Sequence, residues 1–320
     1  MVSTSTYLDG ILAAHRAVKA VDDRDLDVLI RDALASPPPR PFMSALEAGG
    51  AELSVIAEIK RRSPSKGQLD LNLDPTLLAA QYAAGGAACV SVLTDAEFFG
   101  GSPQDLVAAK ASCELPVLRK DFTVGPKDVA DTRLMGADAV LLIVAALNDA
   151  ELAQCSLLAE QLGLTALVEV HDELELDRAM AAGAKVIGVN QRDLFTFEVD
   201  HDRAVRVAAA IPDSVLAVAE SGVRDADDAS RLAEAGYKAV LVGESLLRSQ
   251  DRVASVSALT GHRVGTRSKK RSGAEAEPPS PDHGDNANHA DNLGSAEHSI
   301  ALGHADHPST SRPLAGDRRV

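Results

Sequence analysis

Apolar residues fall in eight short runs along the chain: VIAEIK (55–60), CVSVLT (89–94), PVLRKD (116–121), AVLLIV (139–144), TALVEV (165–170), VIGVNQ (186–191), LAVAES (216–221) and AVLVGE (239–244). A run without polar alternation predicts a strand buried on both faces. The segments between them carry helix punctuation. Asp74 precedes Pro75, Ser102 precedes Pro103, and Asn148 is followed three residues later by Glu151, as an N-cap and capping-box pair would be. Gly86, Gly136, Gly163, Gly183 and Gly236 each stop a helical pattern shortly before the next strand, where a left-handed C′ residue is wanted. Eight strand–helix alternations over roughly 200 residues predict an α/β protein, a (β/α)8 barrel of the TIM type. A doubly wound open sheet is the structural rival, but it often has a glycine-rich phosphate loop after its first strand. Here that strand ends in charge.

Residues 1–50 predict an N-terminal helical extension, with an amphipathic stretch YLDGILAAHRAVKAV (7–21), a second helical piece near 23–35 and then the proline run PPPRPF. The barrel is expected over 51–261. From 262 to 320 the composition turns to Gly, Ser, Pro, Asp, Asn and His without apolar periodicity, so this stretch is expected to be a disordered tail that cannot offset its ordering entropy.

Composition refines this picture. Hydrophobic residues make up 45% of the chain, aromatics 3% and Trp is absent, so the core is expected to be aliphatic. A formal net charge of −15 argues against nucleic acid or an anionic membrane as partners. Cys89, Cys113 and Cys155 lie far apart without CxxC spacing and are read as reduced structural residues. There is no basic flank before an apolar leader and no run long enough for a membrane span, so a cytoplasmic location is expected. His262, His283, His289, His298, His304 and His307 are too irregularly spaced for a zinc site. No metal is expected, and SKKRS (268–272) reads as a solvated basic run.

In such a barrel the chemistry lies at the C-terminal ends of the strands. AEIKRRSPSKG (57–67) puts Glu58 and Lys60 two residues apart, on one face of strand one. Strand three ends in Lys120, strand five in Glu169, strand six in Asn190 with Arg192 beyond, strand seven in Glu220 and Ser221, and strand eight in Gly243. Each charge alone could be a structural ion pair or a solvated loop residue. Together they suggest one pocket, because burying several ions is costly unless they are matched. Lys beside Lys and Glu beside Glu would push proton affinities toward neutrality and suit acid–base work.

ESGV (220–223) and VGES (242–245) lead from strands seven and eight into helices, the usual phosphate site of the fold. A glycine there can also simply end a strand. His171 could shuttle protons beside Glu169 or begin a loop and cap the next helix, and the second reading is the simpler. His15 and His201 read as surface residues. No Walker A loop, GxGxxG or HExxH is present.

Taken in order, AEIKRRSPSKG, VLRKDF (117–122), LVEVHDE (167–173), GVNQRDL (188–194), VAESGV (218–223) and VGESL (242–246) resemble the indole-3-glycerol phosphate synthase family of tryptophan biosynthesis, over about residues 5–260. The resemblance implies a barrel with an N-terminal helical segment, and no cofactor. It implies a phosphorylated small-molecule substrate, 1-(2-carboxyphenylamino)-1-deoxyribulose 5-phosphate, which is cyclised, decarboxylated and dehydrated. By motif, Lys120 would be the general acid for ring closure and Glu169 would move protons in dehydration. Lys60 would contact substrate and serve as acid in dehydration, positioned by Glu58. Ser63 and Asn190 would hydrogen-bond the substrate, with Glu220 beside them, and Arg192 would hold its carboxylate. Phe99, Phe122, Leu141 and Leu194 would wall the aromatic ring, and Ser221, Gly222, Gly243 and Glu244 would hold the phosphate. The tail departs from the family pattern, and a partner among other enzymes of the pathway stays open. The alternatives are a phosphoribosylanthranilate isomerase-like barrel, disfavoured because that family places a Cys near its first strand, and a barrel that binds a phosphorylated metabolite without turnover.

Overall fold

The structure, a computed structural model, describes residues 6–63, 67–193, 196 and 198–267. Eight parallel strands close into a barrel: β1 (Ser54–Ile59), β2 (Cys89–Leu93), β3 (Val117–Lys120), β4 (Ala139–Ile143), β5 (Thr165–Val170), β6 (Val186–Asn190), β7 (Leu216–Glu220) and β8 (Ala239–Val242). Each strand pairs with its sequence neighbour. Closure comes from Ser54 to Ala57 of β1 running beside Ala239 to Val242 of β8. The eight expected strands are all present, each within two residues of its apolar run.

Alternation along each strand sorts side chains into two cores. Val55, Ala57 and Ile59 of β1 face the helical ring, with Val90, Val140 and Val168 from other strands. Ile56, Leu118, Leu141, Leu167, Val218 and Leu241 fill the barrel interior. Helices start and stop where the sequence punctuation puts them. Asp74 accepts from Thr76 N and Leu77 N at α4 (Pro75–Ala84), Ser102 accepts from Asp105 N at α5 (Pro103–Ser112), and Asn148 and Glu151 form a capping box at α7 (Asp149–Gln161). The five predicted C′ glycines all have φ between +73° and +92°, a conformation that costs glycine little. The remaining ring helices are α6 (Pro126–Leu134), α8 (Glu173–Ala181), α9 (Arg203–Ala208), α10 (Ala226–Glu234), α11 (Glu244–Arg248) and α12 (Arg252–Leu259).

Among the described residues, the first 50 positions hold three helices, α1 (Tyr7–Val21), α2 (Leu26–Ala35) and α3 (Phe42–Glu47). The third was not expected, because six residues after a proline run show no helical period. It closes the N-terminal end of the barrel. Phe42 and Leu46 are fully buried, and their carbonyls accept from Cys89 Sγ (3.7 Å) and Ser54 Oγ (2.8 Å) at the starts of β2 and β1. Each of those side chains contributes roughly 1.5–3 kcal/mol of burial. α1 lies at the opposite end, with Leu8 and Ile11 buried in the interior cluster. The tail boundary expected at 262 also moves. His262 O accepts from Leu53 N, Val264 N and Gly265 N donate to Ala51 O and Ala233 O, and Arg267 Nη2 donates to Val215 O. These partners are supplied by tertiary contact, which composition does not register. Residues 268–320 lie outside the described residues.

Candidate active site

At the C-terminal mouth, the inward face of several strands changes from apolar to polar within one alternation step. Ile56 is followed by Glu58 and Lys60, Leu118 by Lys120, Leu167 by Glu169, Gly188 by Asn190 and Val218 by Glu220. The strand register stacks these residues as a polar layer above the aliphatic interior. Glu58, Glu169, Asn190 and Glu220 are all buried, Glu169 and Glu220 to within 1% exposure.

Lys120 is the centre of the layer. Its Nζ donates to Glu169 Oε2 at 2.9 Å and lies 3.4 Å from Glu220 Oε2. Asn190 Nδ2 donates to the other Glu169 oxygen at 3.0 Å, while its Oδ1 accepts from Arg192 N. Lys60 Nζ donates to Glu58 Oε2. Two glycines make room for this crowding. A Cβ on Gly188 would strike Glu220 Oε1, and one on Gly243 would strike the Glu58 carboxylate.

The expectation that like charges would draw the groups toward neutrality holds in direction for Glu220 and is reversed for Lys120 and Glu169. Burial pulls Lys120 down, but the charges of Glu169, Glu220 and Glu58 together push it above the ordinary lysine range. Burial raises Glu169, yet Lys120, His171 and the Asn190 hydrogen bond outweigh it and hold the carboxyl at about 2. Glu220 is pushed up to about 8, chiefly by burial, with Lys120 opposing and Glu169 and Glu58 adding to the rise. Neither Glu220 oxygen has a hydrogen-bond partner. The layer thus sets the Lys120 ammonium between one carboxyl whose proton affinity is lowered, Glu169, and one whose affinity is raised, Glu220. Each cation sits against carboxylates rather than against the other cation, so the sign for Lys120 is reversed.

These groups open into a cavity of about 980 Å³. Glu58, Lys60, Ser63, Phe99, Lys120, Phe122, Leu141, Glu169, Asn190, Arg192, Glu220, Ser221, Gly222, Gly243 and Glu244 all line it. Leu194 lies outside the described residues. The Phe99 and Phe122 rings pack against each other with centroids 6.0 Å apart and, with Leu141, give the cavity an apolar wall. Elsewhere along its lining, Ser221 (φ +65°) and Gly222 (φ +75°) follow β7, and Ser221 is the non-glycine residue with positive φ among those described. Such a conformation costs of order 1–3 kcal/mol and clusters at functional sites. Gln191 Nε2 holds it by donating to Ser221 O at 2.7 Å. Gly243 begins α11 beside it, with Ser245 Oγ bonded to Val223 O.

Sequence reasoning missed the contribution of α1. Tyr7, Leu8 and Ile11 line the cavity, and the exposed-looking His15 is half-buried, with Nε2 3.0 Å from Asp95 Oδ2. Asp95 Oδ1 in turn accepts from Phe98 N and Phe99 N. The amphipathic face of α1 was the available signal, but it carries no address for its partner. His15, Asp95 and Asp121 bring potential metal-ligand atoms within 4.8 Å of one another. Their oxygens already serve Phe98, Phe99, Thr94, Arg119 and Phe122, so the trio is built as a hydrogen-bond network. His171, expected mainly to begin a loop, lies with Nε2 3.9 Å from Glu169 Oε1.

The family model for indole-3-glycerol phosphate synthase matches residues 8–259. A protein of that name from Mycobacterium avium (strain 104) is 49% identical over 260 residues, covering 81% of this chain and 95% of its own. The counterparts from Mycobacterium ulcerans (strain Agy99), at 48% identity, and Mycobacterium tuberculosis (strain ATCC 25618 / H37Rv), at 49%, match with the same coverage. The matched span runs from α1 to α12 and includes every described residue of the polar layer, so this chain belongs to the indole-3-glycerol phosphate synthase family.

Proposed function

We propose that this chain turns 1-(2-carboxyphenylamino)-1-deoxyribulose 5-phosphate into indole-3-glycerol phosphate, a carbon–carbon lyase reaction of tryptophan biosynthesis, through the polar layer at the barrel mouth. The observation that carries the reading is the Lys120 ammonium held between Glu169 and Glu220 in a cavity that the Phe99 and Phe122 rings also line. In ring closure the aromatic carbon bearing the carboxylate attacks the ketone carbon, and Lys120 gives its proton to the ketone oxygen. Arg192 holds the carboxylate until CO2 leaves with the carbon–carbon bond pair returning to the ring. In the last step the new hydroxyl departs as water with a proton from Lys60, positioned by Glu58, and Glu169 removes the ring proton that completes the indole. The raised affinity of Lys120 and the lowered affinity of Glu169 keep the first protonated and the second ionised before the reaction, the states an acid and a base must start from. Ser63 and Asn190 orient the substrate, and Ser221, Gly222, Gly243 and the Glu244 backbone take its phosphate.

The test is the appearance of indole fluorescence when purified protein meets the substrate. Lys120→Ala is expected to lower kcat by about 100- to 10,000-fold, the usual contribution of a positioned acid. Absence of turnover by the wild-type protein refutes the proposal.

A further inference from the structure

Glu169 has a second titratable neighbour that the proposed steps leave unused. His171 follows the end of β5, with a side chain only 12% exposed. Its ring is fixed from one side: Nδ1 lies 2.9 Å from Glu175 Oε2, and the same oxygen accepts from the His171 backbone N–H at 2.8 Å. Glu175 belongs to the first turn of α8 and its own N–H is bonded to Asp172, the N-cap. Nδ1 is thereby the donor to a carboxylate, which leaves Nε2 as the nitrogen facing inward. Nε2 is buried and has no hydrogen-bond partner, and Glu169 Oε1 stands 3.9 Å away.

A merely structural cap does not account for this ring. Asp172 caps the helix without the ring, and an apolar side chain at 171 would fill the space without burying an unpartnered nitrogen. A bare Nε2 lone pair opposite a carboxylate oxygen is also repulsive, whereas one proton placed between them is shared favourably. The pair is thus arranged to hold a proton at the base. The charged groups facing the ring are Glu169 from β5, Glu175 from α8 and Arg203 from α9.

We infer that His171 is a positioning residue that carries protons between Glu169 and solvent by way of Glu175. The inference rests on the reading of Glu169 as the base. After Glu169 has taken the ring proton, that proton passes from its carboxyl to Nε2, which restores the Glu169 carboxylate and makes an imidazolium. The imidazolium loses the Nδ1 proton to the Glu175 carboxylate, whose side chain is 19% exposed, and Glu175 passes it to water. The neutral ring regains its starting tautomer when it swings back from Glu169 and gives the Nε2 proton up to water, so the relay exports one proton per turnover, while Lys120 and Lys60 regain from solvent the two they gave and the reaction as a whole takes up one. Closing 3.9 Å to hydrogen-bond length needs a small swing of the ring, as is common when catalytic contacts tighten on substrate binding.

The test begins with wild-type turnover, which stands or falls with the proposed function alone. His171→Gln and Glu175→Gln are then compared with it in kcat, KM and pH profile, in buffers of increasing imidazole concentration. A relay predicts KM within about twofold of wild type and kcat lowered about tenfold or more, toward the general acid–base range. It also predicts loss of any acidic limb due to His171 and recovery of kcat as imidazole rises. Should His171→Gln fail to fold, Glu175→Gln carries the same expectation with the ring left in place. Wild-type kcat and pH profile in the variants overturn the inference, as does a loss of kcat that imidazole does not restore.

Discussion

Asp138, fully buried just before β4, offers a prediction that depends on the scaffold alone. Its Oδ2 accepts from Val117 N at 2.7 Å and its Oδ1 from Arg40 N at 2.6 Å, while Lys110 Nζ donates to Oδ1. One carboxylate therefore fastens the start of β3, the chain entering α3 and the end of α5. Asp138→Ala strips three donors at once. Lys110 keeps 23% side-chain exposure and can turn to water, so its share is discounted. The Val117 amide is enclosed, and an orphaned buried donor costs about 1–3 kcal/mol. The Arg40 amide is half-buried and adds less. Breaking a buried pair by removing one partner costs about 3–5 kcal/mol in all, and partial relaxation of Lys110 puts the working figure near 4 kcal/mol. For a domain of this size that lowers Tm by about 8–16 °C, at roughly 2–4 °C per kcal/mol. Thermal unfolding followed by circular dichroism reads the shift, with kcat measured at 20 °C. Because Asp138 sits at the end of the barrel away from the chemistry, kcat is expected to hold. A Tm drop under about 3 °C, or a collapse of kcat in protein that is still folded, refutes the reasoning.

Three further outcomes follow from the site and its supports. Glu220→Gln mimics the protonated carboxyl that burial favours and is expected to retain kcat at pH 7 within about tenfold, while Glu169→Gln loses about 100-fold or more; equal losses contradict the assignment. The His15 proton affinity is raised above its ordinary value chiefly by the Asp95 hydrogen bond, against burial and with help from Asp121 and Asp128. Its contribution is therefore complete below the unfolded value and fades as pH rises through the folded one, so the Tm advantage of wild type over His15→Phe should shrink from pH 6 to pH 9. A constant difference across that range refutes the link. Ending the chain after residue 267 should preserve both Tm and kcat, whereas ending it after 261 removes four hydrogen bonds to the barrel, worth about 0.5–1.5 kcal/mol each; equal melting of the two truncations refutes a stabilising role for residues 262–267.

Local pattern carried the architecture of this chain. Eight β-rich runs, five C′ glycines and the caps at Asp74, Ser102 and Asn148 depend on residues within a few positions of one another, and a closed barrel is the arrangement that buries them all. Strand parity carried the polar layer as well, since a residue two places beyond Leu118 or Leu167 must share its face. Tertiary structure alone decided what those residues do to each other. Lys120 meets Glu169 and Glu220 across 49 and 100 positions of sequence, and whether its proton affinity rises or falls depends on distances in ångströms that no spacing rule contains. The same holds for α3 under the barrel, for α1 bringing His15 to Asp95, and for His171 facing Glu169. Periodicity is a property of neighbours along the chain, whereas desolvation and Coulomb energy are properties of neighbours in space, and the closed barrel turns the first into the second.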